Sequence, residues 1–308
     1  MSLQLTTPKP ARAAARKPVV RIVHPAGALA GHEARLEAGC TLLEKHGCRV
    51  RWEPQRMRSV WRDYYAGDDM TRAEEFIAAV QEPGVDIVWM ARGGSGCGRI
   101  TERICKALSQ VEPRIVIGFS DGTAILNALA QHLGWITFHG PVVTSLADQK
   151  ITSNLDDCLA IIQGHKTTIG FDTASLERMQ GRLFGGNLTV LASTIGQPYG
   201  TIPMGRNAIC LLEDVGEAPY RLERAFCQLR NGGILEDLSG LLIGDLDLEF
   251  SSLESVTAGF AADSDLPMAT GAPAGHRGRL SCLPIGGEVY VDAGLGTITG
   301  ASPWVLPT

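Results

Sequence analysis

The chain has 308 residues, 44% of them hydrophobic and 20% charged, with a formal net charge of −5. That composition fits a globular chain long enough for two domains. It carries no basic excess to track a phosphate backbone and no apolar run near the ~20 residues that span a bilayer, so neither nucleic acid nor membrane is an expected partner. The eight cysteines are scattered without C-x-x-C or zinc spacing, the pattern of buried free thiols in a reducing, cytoplasmic compartment.

Residues 1–17, MSLQLTTPKPARAAARK, are basic and lack an apolar signal core, and are expected to form a disordered tail. From there, strand-like runs alternate with helical patterns. VVRIV (19–23) leads to a helix around 31–46, and CRVRW (48–52) to one near 71–81. DIVWM (86–90) leads through a glycine loop to a helix near 100–110. RIVIG (114–118) runs into TAILNALAQHLG, and ITF (136–138) follows. This alternation predicts a parallel sheet with helices on both faces over 18–164, with functional groups at the carboxyl ends of its strands. Residues 165–182 break the rhythm and read as a linker. Residues 183–308 read as a smaller mixed α/β domain, with a glycine-led helix at GGNLTVLAST, strands near 207–212 and 240–245 and a helix over 219–231.

Gly118-Phe119-Ser120-Asp121-Gly122 fits G-x-S-x-G between a strand and a helix, the setting of a nucleophile elbow; the plainer reading is a Ser-Asp cap on that helix. A serine nucleophile needs a base, and His24, His139 and His276 are the candidates. His24 and His139 each follow a strand of the first domain, and His276 lies in the glycine-rich loop PMATGAPAGHRGRL. Spacing does not choose among them. Glu213 ends the apolar strand of NAICLLEDVGEAPYRLER and reads either as the orienting acid or as a structural ion-pair partner. ARGGSGCGRI (91–100) lacks the endings of a Walker or dinucleotide motif; its N–H groups suit an oxyanion, or the glycines simply make a turn.

ARGGSGCGR, GFSDGTAIL, FHGPV, GGNLTVL, LLEDVGEAPYRLER and GHRGRLSCLPIGG, in this order, resemble the LD-carboxypeptidases, serine peptidases related to the microcin C self-immunity proteins. The resemblance implies a Rossmann-like N-terminal domain, a smaller α/β C-terminal domain, a homodimer and no metal or other cofactor. It implies Ser120 as nucleophile, Glu213 as acid and His276 as base, with backbone N–H donors from Asp121 and from Gly94 of the Gly93-Gly94 pair. The implied substrate is a cytoplasmic murein tetrapeptide losing its terminal D-alanine. Arg92 and Arg99 flank the glycine loop and are candidates for its carboxylate. Ser95 stands where the family usually has an aromatic, and His24-Pro25 where it has small residues. The other readings are hydrolysis of aminoacyl-nucleotide compounds, as in the microcin branch, a general α/β-hydrolase esterase, and non-catalytic anion or peptide binding.

Overall fold

The computed structural model describes residues 7–14, 17–148, 155–277 and 279–306. Among these, two sheets organise the chain. The first has the order β12-β6-β5-β4-β2-β3. Its parallel strands are β2 (Val19–Val23), β3 (Arg49–Arg51), β4 (Ile87–Met90), β5 (Ile115–Gly118) and β6 (Thr137–His139), and β12 (Leu283–Ile285) runs antiparallel beside β6. Every residue of β4 and β5 is buried, the signature of a central parallel strand covered on both faces. Helices α1 (Glu33–Lys45), α2 (Asp69–Gln81), α3 (Thr101–Leu108) and α4 (Thr123–Leu133) supply the crossovers. The chain reverses direction between β2 and β4, so the loops leaving those strands splay apart and open a crevice at the carboxyl edge.

The second sheet has the order β11-β10-β9-β8-β13-β14-β7. Parallel strands β8 (Arg178–Asn187), β9 (Ala208–Glu213), β10 (Gly240–Ile243) and β11 (Met268–Thr270) make one half. Antiparallel β13 (Glu288–Asp292), β14 (Thr297–Gly300) and β7 (Thr168–Gly170) make the other. Helices α5 (Leu155–Ile162), α6 (Leu188–Ser193), α7 (Pro219–Asn231) and α8 (Phe250–Ser264) complete the chain, with Phe226 of α7 stacked on Phe260 of α8 at 4.0 Å.

The two sheets are joined where the site lies. Buried Asn127 of α4 donates to Gly185 O at 2.9 Å and accepts from Gly185 N at 2.8 Å, and Thr123 Oγ1 accepts from Asn187 N at 3.0 Å. Gly185 and Gly186 allow this approach. Both have positive φ, and a Cβ on Gly186 would lie 2.7 Å from Thr123 Oγ1. The helix behind the G-x-S-x-G turn is thereby fixed to β8, whose neighbour β9 pairs Glu213 with Asn187.

Three boundaries differ from expectation. Within the tail expected to be disordered, Ala11–Arg12 forms strand β1, paired in parallel with Val305–Leu306 of β15. The 165–182 linker holds β7 and the start of β8, both part of the second sheet. β12, from the C-terminal half, belongs to the first sheet. Each depends on pairing with distant segments, which leaves no local periodicity to read.

Candidate active site

The turn after β5 is built to hold one serine outward. Ser120 has φ +58°, a left-handed conformation that costs a side-chain-bearing residue of order 1–3 kcal/mol and concentrates at functional sites. Both glycines of the motif are required by packing, since Met90 lies over them. A Cβ on Gly118 would collide with Met90 Sδ, and one on Gly122 would lie 2.7 Å from it. The serine is therefore not a helix cap: it starts the tight Ser120–Gly122 turn, and Gly122 precedes α4.

Glu213 and Asp214 end β9 together but do different things. Asp214 is structural: it accepts from Asn187 Nδ2, Thr189 N, Thr189 Oγ1 and Val215 N at 2.7–3.0 Å, tying the start of α6 to the strand. Glu213 is fully buried and meets His276 Nδ1 through Oε2 at 3.1 Å; among the described residues its Oε1 makes no hydrogen bond. Burial raises its pKa, and the imidazole opposes the shift. With the proton on Nδ1, Nε2 is left as the basic nitrogen. The His276 loop is anchored through Asp245, whose N–H donates to Ala274 O at 2.8 Å and whose Oδ2 accepts from Arg277 N at 3.2 Å. Phe119 lies against the imidazole with ring centroids 4.2 Å apart.

Ser120, Phe119 and His276 line one cavity of about 260 Å³ together with Arg92, Gly93 and Gly94. His32, Arg35, Thr144 and Asp148 also border it. Among the described residues Ser120 makes no hydrogen bond to His276, the looser state common before substrate closes a site. Gly93 must be glycine, because a Cβ there would lie 2.9 Å from Ser120 Cβ. The Gly93 carbonyl accepts from Gly27 N at 3.1 Å, which turns the other edge of that peptide, the Gly94 N–H, away from Gly27. Among the described residues neither Gly94 N–H nor Asp121 N–H has a partner.

The other histidine candidates lie elsewhere. His24 is buried with Nδ1 at 2.8 Å from Glu75, which Arg56 also holds. His139 is fully buried behind Phe119, ring centroids 5.1 Å apart, and among the described residues neither of its nitrogens is hydrogen-bonded. Burial, and then the nearby His276, lower its pKa to about 3. It is thus neutral when folded but ionises near its usual value when unfolded. Its contribution is complete above about pH 6.5 and is lost as pH falls toward 3. In denaturant unfolding at a series of pH values, His139→Leu should flatten this acid loss of stability; parallel curves for the two proteins would contradict it.

The arginines divide. Arg92 lines the cavity, as expected of a substrate contact, and donates to Ala28 O at 2.5 Å. Arg99 does not: it is paired with Asp69 at 2.6 Å on the surface, beside the Trp61 and Tyr65 rings. Sequence reasoning missed Arg35, which borders the cavity from α1 with Nε on Thr144 O at 3.2 Å. Among the described residues neither Arg35 nor Arg92 has a carboxylate partner. Burial and then Arg35 lower the Arg92 pKa, and burial followed by Arg92 and Arg35 lowers that of His32. Positive groups are gathered here, with Asp148 also on the cavity border, and among the described residues neither guanidinium is salt-bridged, which leaves them able to receive an anion. Among the described residues no cluster of three or more His, Cys, Asp or Glu could hold a metal ion, and no helix is long and apolar enough to cross a membrane.

Comparison with known proteins gives the family and the fold. The LD-carboxypeptidase N-terminal domain matches residues 20–140 and the LD-carboxypeptidase C-terminal domain residues 180–291. The murein tetrapeptide carboxypeptidase of Pseudomonas aeruginosa is 31% identical over 290 residues, 89% of this chain and 92% of that protein. The crystal structure of muramoyltetrapeptide carboxypeptidase from Oxalobacter formigenes superposes with a TM-score of 0.74 at 25% identity, over 94% of this chain and 100% of that one. The microcin C7 self-immunity protein MccF of Escherichia coli is 22% identical over 74% of this chain and 77% of that protein. Its wild-type apo structure has a TM-score of 0.82 at 19% identity, over 97% of this chain and 100% of that one, a likeness of fold.

Proposed function

The chain belongs to the LD-carboxypeptidase family, and from that premise we propose that it is a serine peptidase releasing the terminal D-alanine of a murein tetrapeptide. The observation that carries this reading is one cavity lined by a serine at positive φ, an imidazole backed by a buried carboxylate, and two arginines without a carboxylate partner among the described residues. The first two supply acyl transfer, and the third a contact for a free terminal carboxylate.

In the reaction, His276 Nε2 takes the proton of Ser120 Oγ as that oxygen attacks the carbonyl preceding D-alanine. Glu213 holds Nδ1–H and stabilises the imidazolium. The N–H groups of Asp121 and Gly94 receive the oxyanion. The bond to D-alanine breaks with the imidazolium proton passing to the departing amine. Water, deprotonated by His276, then attacks the ester and frees the serine. Eight free cysteines, seven of them buried, suit a reducing interior such as the cytoplasm.

The aminoacyl-nucleotide reading finds less support. The segment 166–186 offers only Phe171 and Phe184 as aromatics, and neither lines the cavity that holds Ser120 and His276, where a base would have to stack.

The carboxylate contact gives the test. A charge-assisted hydrogen bond is worth about 1.5–3 kcal/mol, so Arg92→Gln should lower kcat/KM roughly 10–100-fold on the free-acid tetrapeptide. On the same peptide ending in a carboxamide the substitution should change little. Equal losses on the two substrates would remove Arg92 from carboxylate recognition.

A further inference from the structure

An oxyanion hole works only if its two donors keep a fixed separation, and here they come from different elements. Asp121 N–H belongs to the turn after β5, while Gly94 N–H belongs to a loop with glycine at 93, 94, 96 and 98. Such a loop has little conformational preference of its own.

It is held at one peptide unit. The Cys97 N–H donates to Asp121 Oδ2 at 2.8 Å, and the Gly96 carbonyl, the other end of the same peptide, accepts from Arg72 Nη1 at 3.0 Å. Arg72 is fully buried, and Asp121 is 7% exposed. Buried side chains of opposite sign therefore grip the donor and acceptor ends of one peptide dipole. Arg72 extends the grip: Nε reaches Gly67 O at 3.0 Å, Nη1 also reaches Pro25 O, and Nη2 pairs with Asp69 at 2.5 Å. Gly96 has φ +117°, and a Cβ there would lie 2.7 Å from Arg72 Nη1 and 2.8 Å from the Tyr65 ring, so the guanidinium occupies the space a side chain would need.

We propose that Arg72 and the Asp121 carboxylate are positioning residues that clamp the Gly96–Cys97 peptide and thereby set the Gly94 N–H against the Asp121 N–H. One residue then serves twice: the backbone of Asp121 donates to the oxyanion, and its side chain fixes the loop that brings the second donor. The inference rests on the acyl-transfer reading of the site. Its energetic signature is a loss confined to the transition state, since the ground-state carbonyl depends little on a correctly aimed hole.

The experiment is steady-state D-alanine release by Asp121→Ala and Asp121→Asn beside the parent protein, with amide hydrogen exchange over residues 93–99. Asp121→Ala should lose roughly 10²-fold in kcat, the typical cost of one oxyanion donor, with KM within about threefold. Asparagine can still accept from Cys97 N–H and should restore at least about tenfold of that loss. A folded alanine variant within about threefold of parental kcat, a loss carried by KM, or an asparagine variant no better than alanine would overturn the clamp. The parent protein supplies a readout that needs no variant to fold. Its Cys97 amide should exchange slowly for an irregular loop, and free exchange there would overturn the clamp. Exchange also separates the two claims, because a parent that releases no D-alanine refutes the substrate while Cys97 protection still tests the clamp.

Discussion

Ser120→Ala should reduce D-alanine release by roughly 10⁴- to 10⁶-fold, leaving only the catalysis that binding and the oxyanion donors provide alone. The loss should fall on kcat, because Oγ is the atom that forms the new bond. The fold should be undisturbed: Ser120 begins a turn whose shape is dictated by Gly118, Gly122 and the overlying Met90, and alanine keeps the Cβ. A second substitution separates chemistry from strain. At φ +58° glycine is relieved of the steric cost a Cβ carries, so Ser120→Gly should be inactive yet more stable than the parent by about 1 kcal/mol in denaturant unfolding. Retained activity in either variant would remove Ser120 from the reaction. A destabilised glycine variant would contradict the strain argument.

Glu213→Gln should cost roughly 10³- to 10⁴-fold in kcat, close to removing the imidazole itself. The carboxylate is fully buried and spends one oxygen on His276 Nδ1, so it fixes the tautomer and offsets the positive charge of the transition state. An amide in its place carries no charge, and if its NH₂ faces Nδ1 it stabilises the wrong tautomer. Burial raises the Glu213 pKa, so the ionised form is lost earlier on acidification than for an exposed glutamate. Parental activity should therefore fall as pH drops and the Glu213 carboxylate takes up its proton. The Gln variant should not regain its rate at higher pH, because it has no carboxyl group to ionise. A variant within tenfold of parental kcat would make Glu213 a structural ion-pair partner, the alternative that its place at a strand end leaves open.

What could be read in advance follows the range of the interactions involved. Ser120 and the glycine loop were legible because strand, turn and helix are contiguous and the turn chemistry is local. Glu213 was visible as a carboxylate ending an apolar strand, but only the structure separates it from Asp214, since four capping bonds to one and a single imidazole contact to the other involve residues far apart in the chain. His276 had no local signature; its loop is shaped by bonds to Asp245, 31 positions earlier, and family resemblance rather than spacing singled it out. Arg99 looked like a substrate contact because it flanks the glycine loop, yet the short Cys97–Arg99 helical turn delivers it to Asp69. Arg35 was overlooked for the opposite reason: it sits on a helix whose polar positions read as surface, and the cavity forms only when α1 meets the loop carrying Thr144.

The measurement that bears most directly on the whole reading is chirally resolved alanine release from L-Ala-γ-D-Glu-meso-diaminopimelyl-D-Ala by the parent protein, with Ser120→Ala alongside. The expected result is stoichiometric D-alanine and the matching tripeptide from the parent and neither from the variant. A folded parent that releases no D-alanine would contradict the murein assignment, and equal release by both proteins would contradict the serine mechanism.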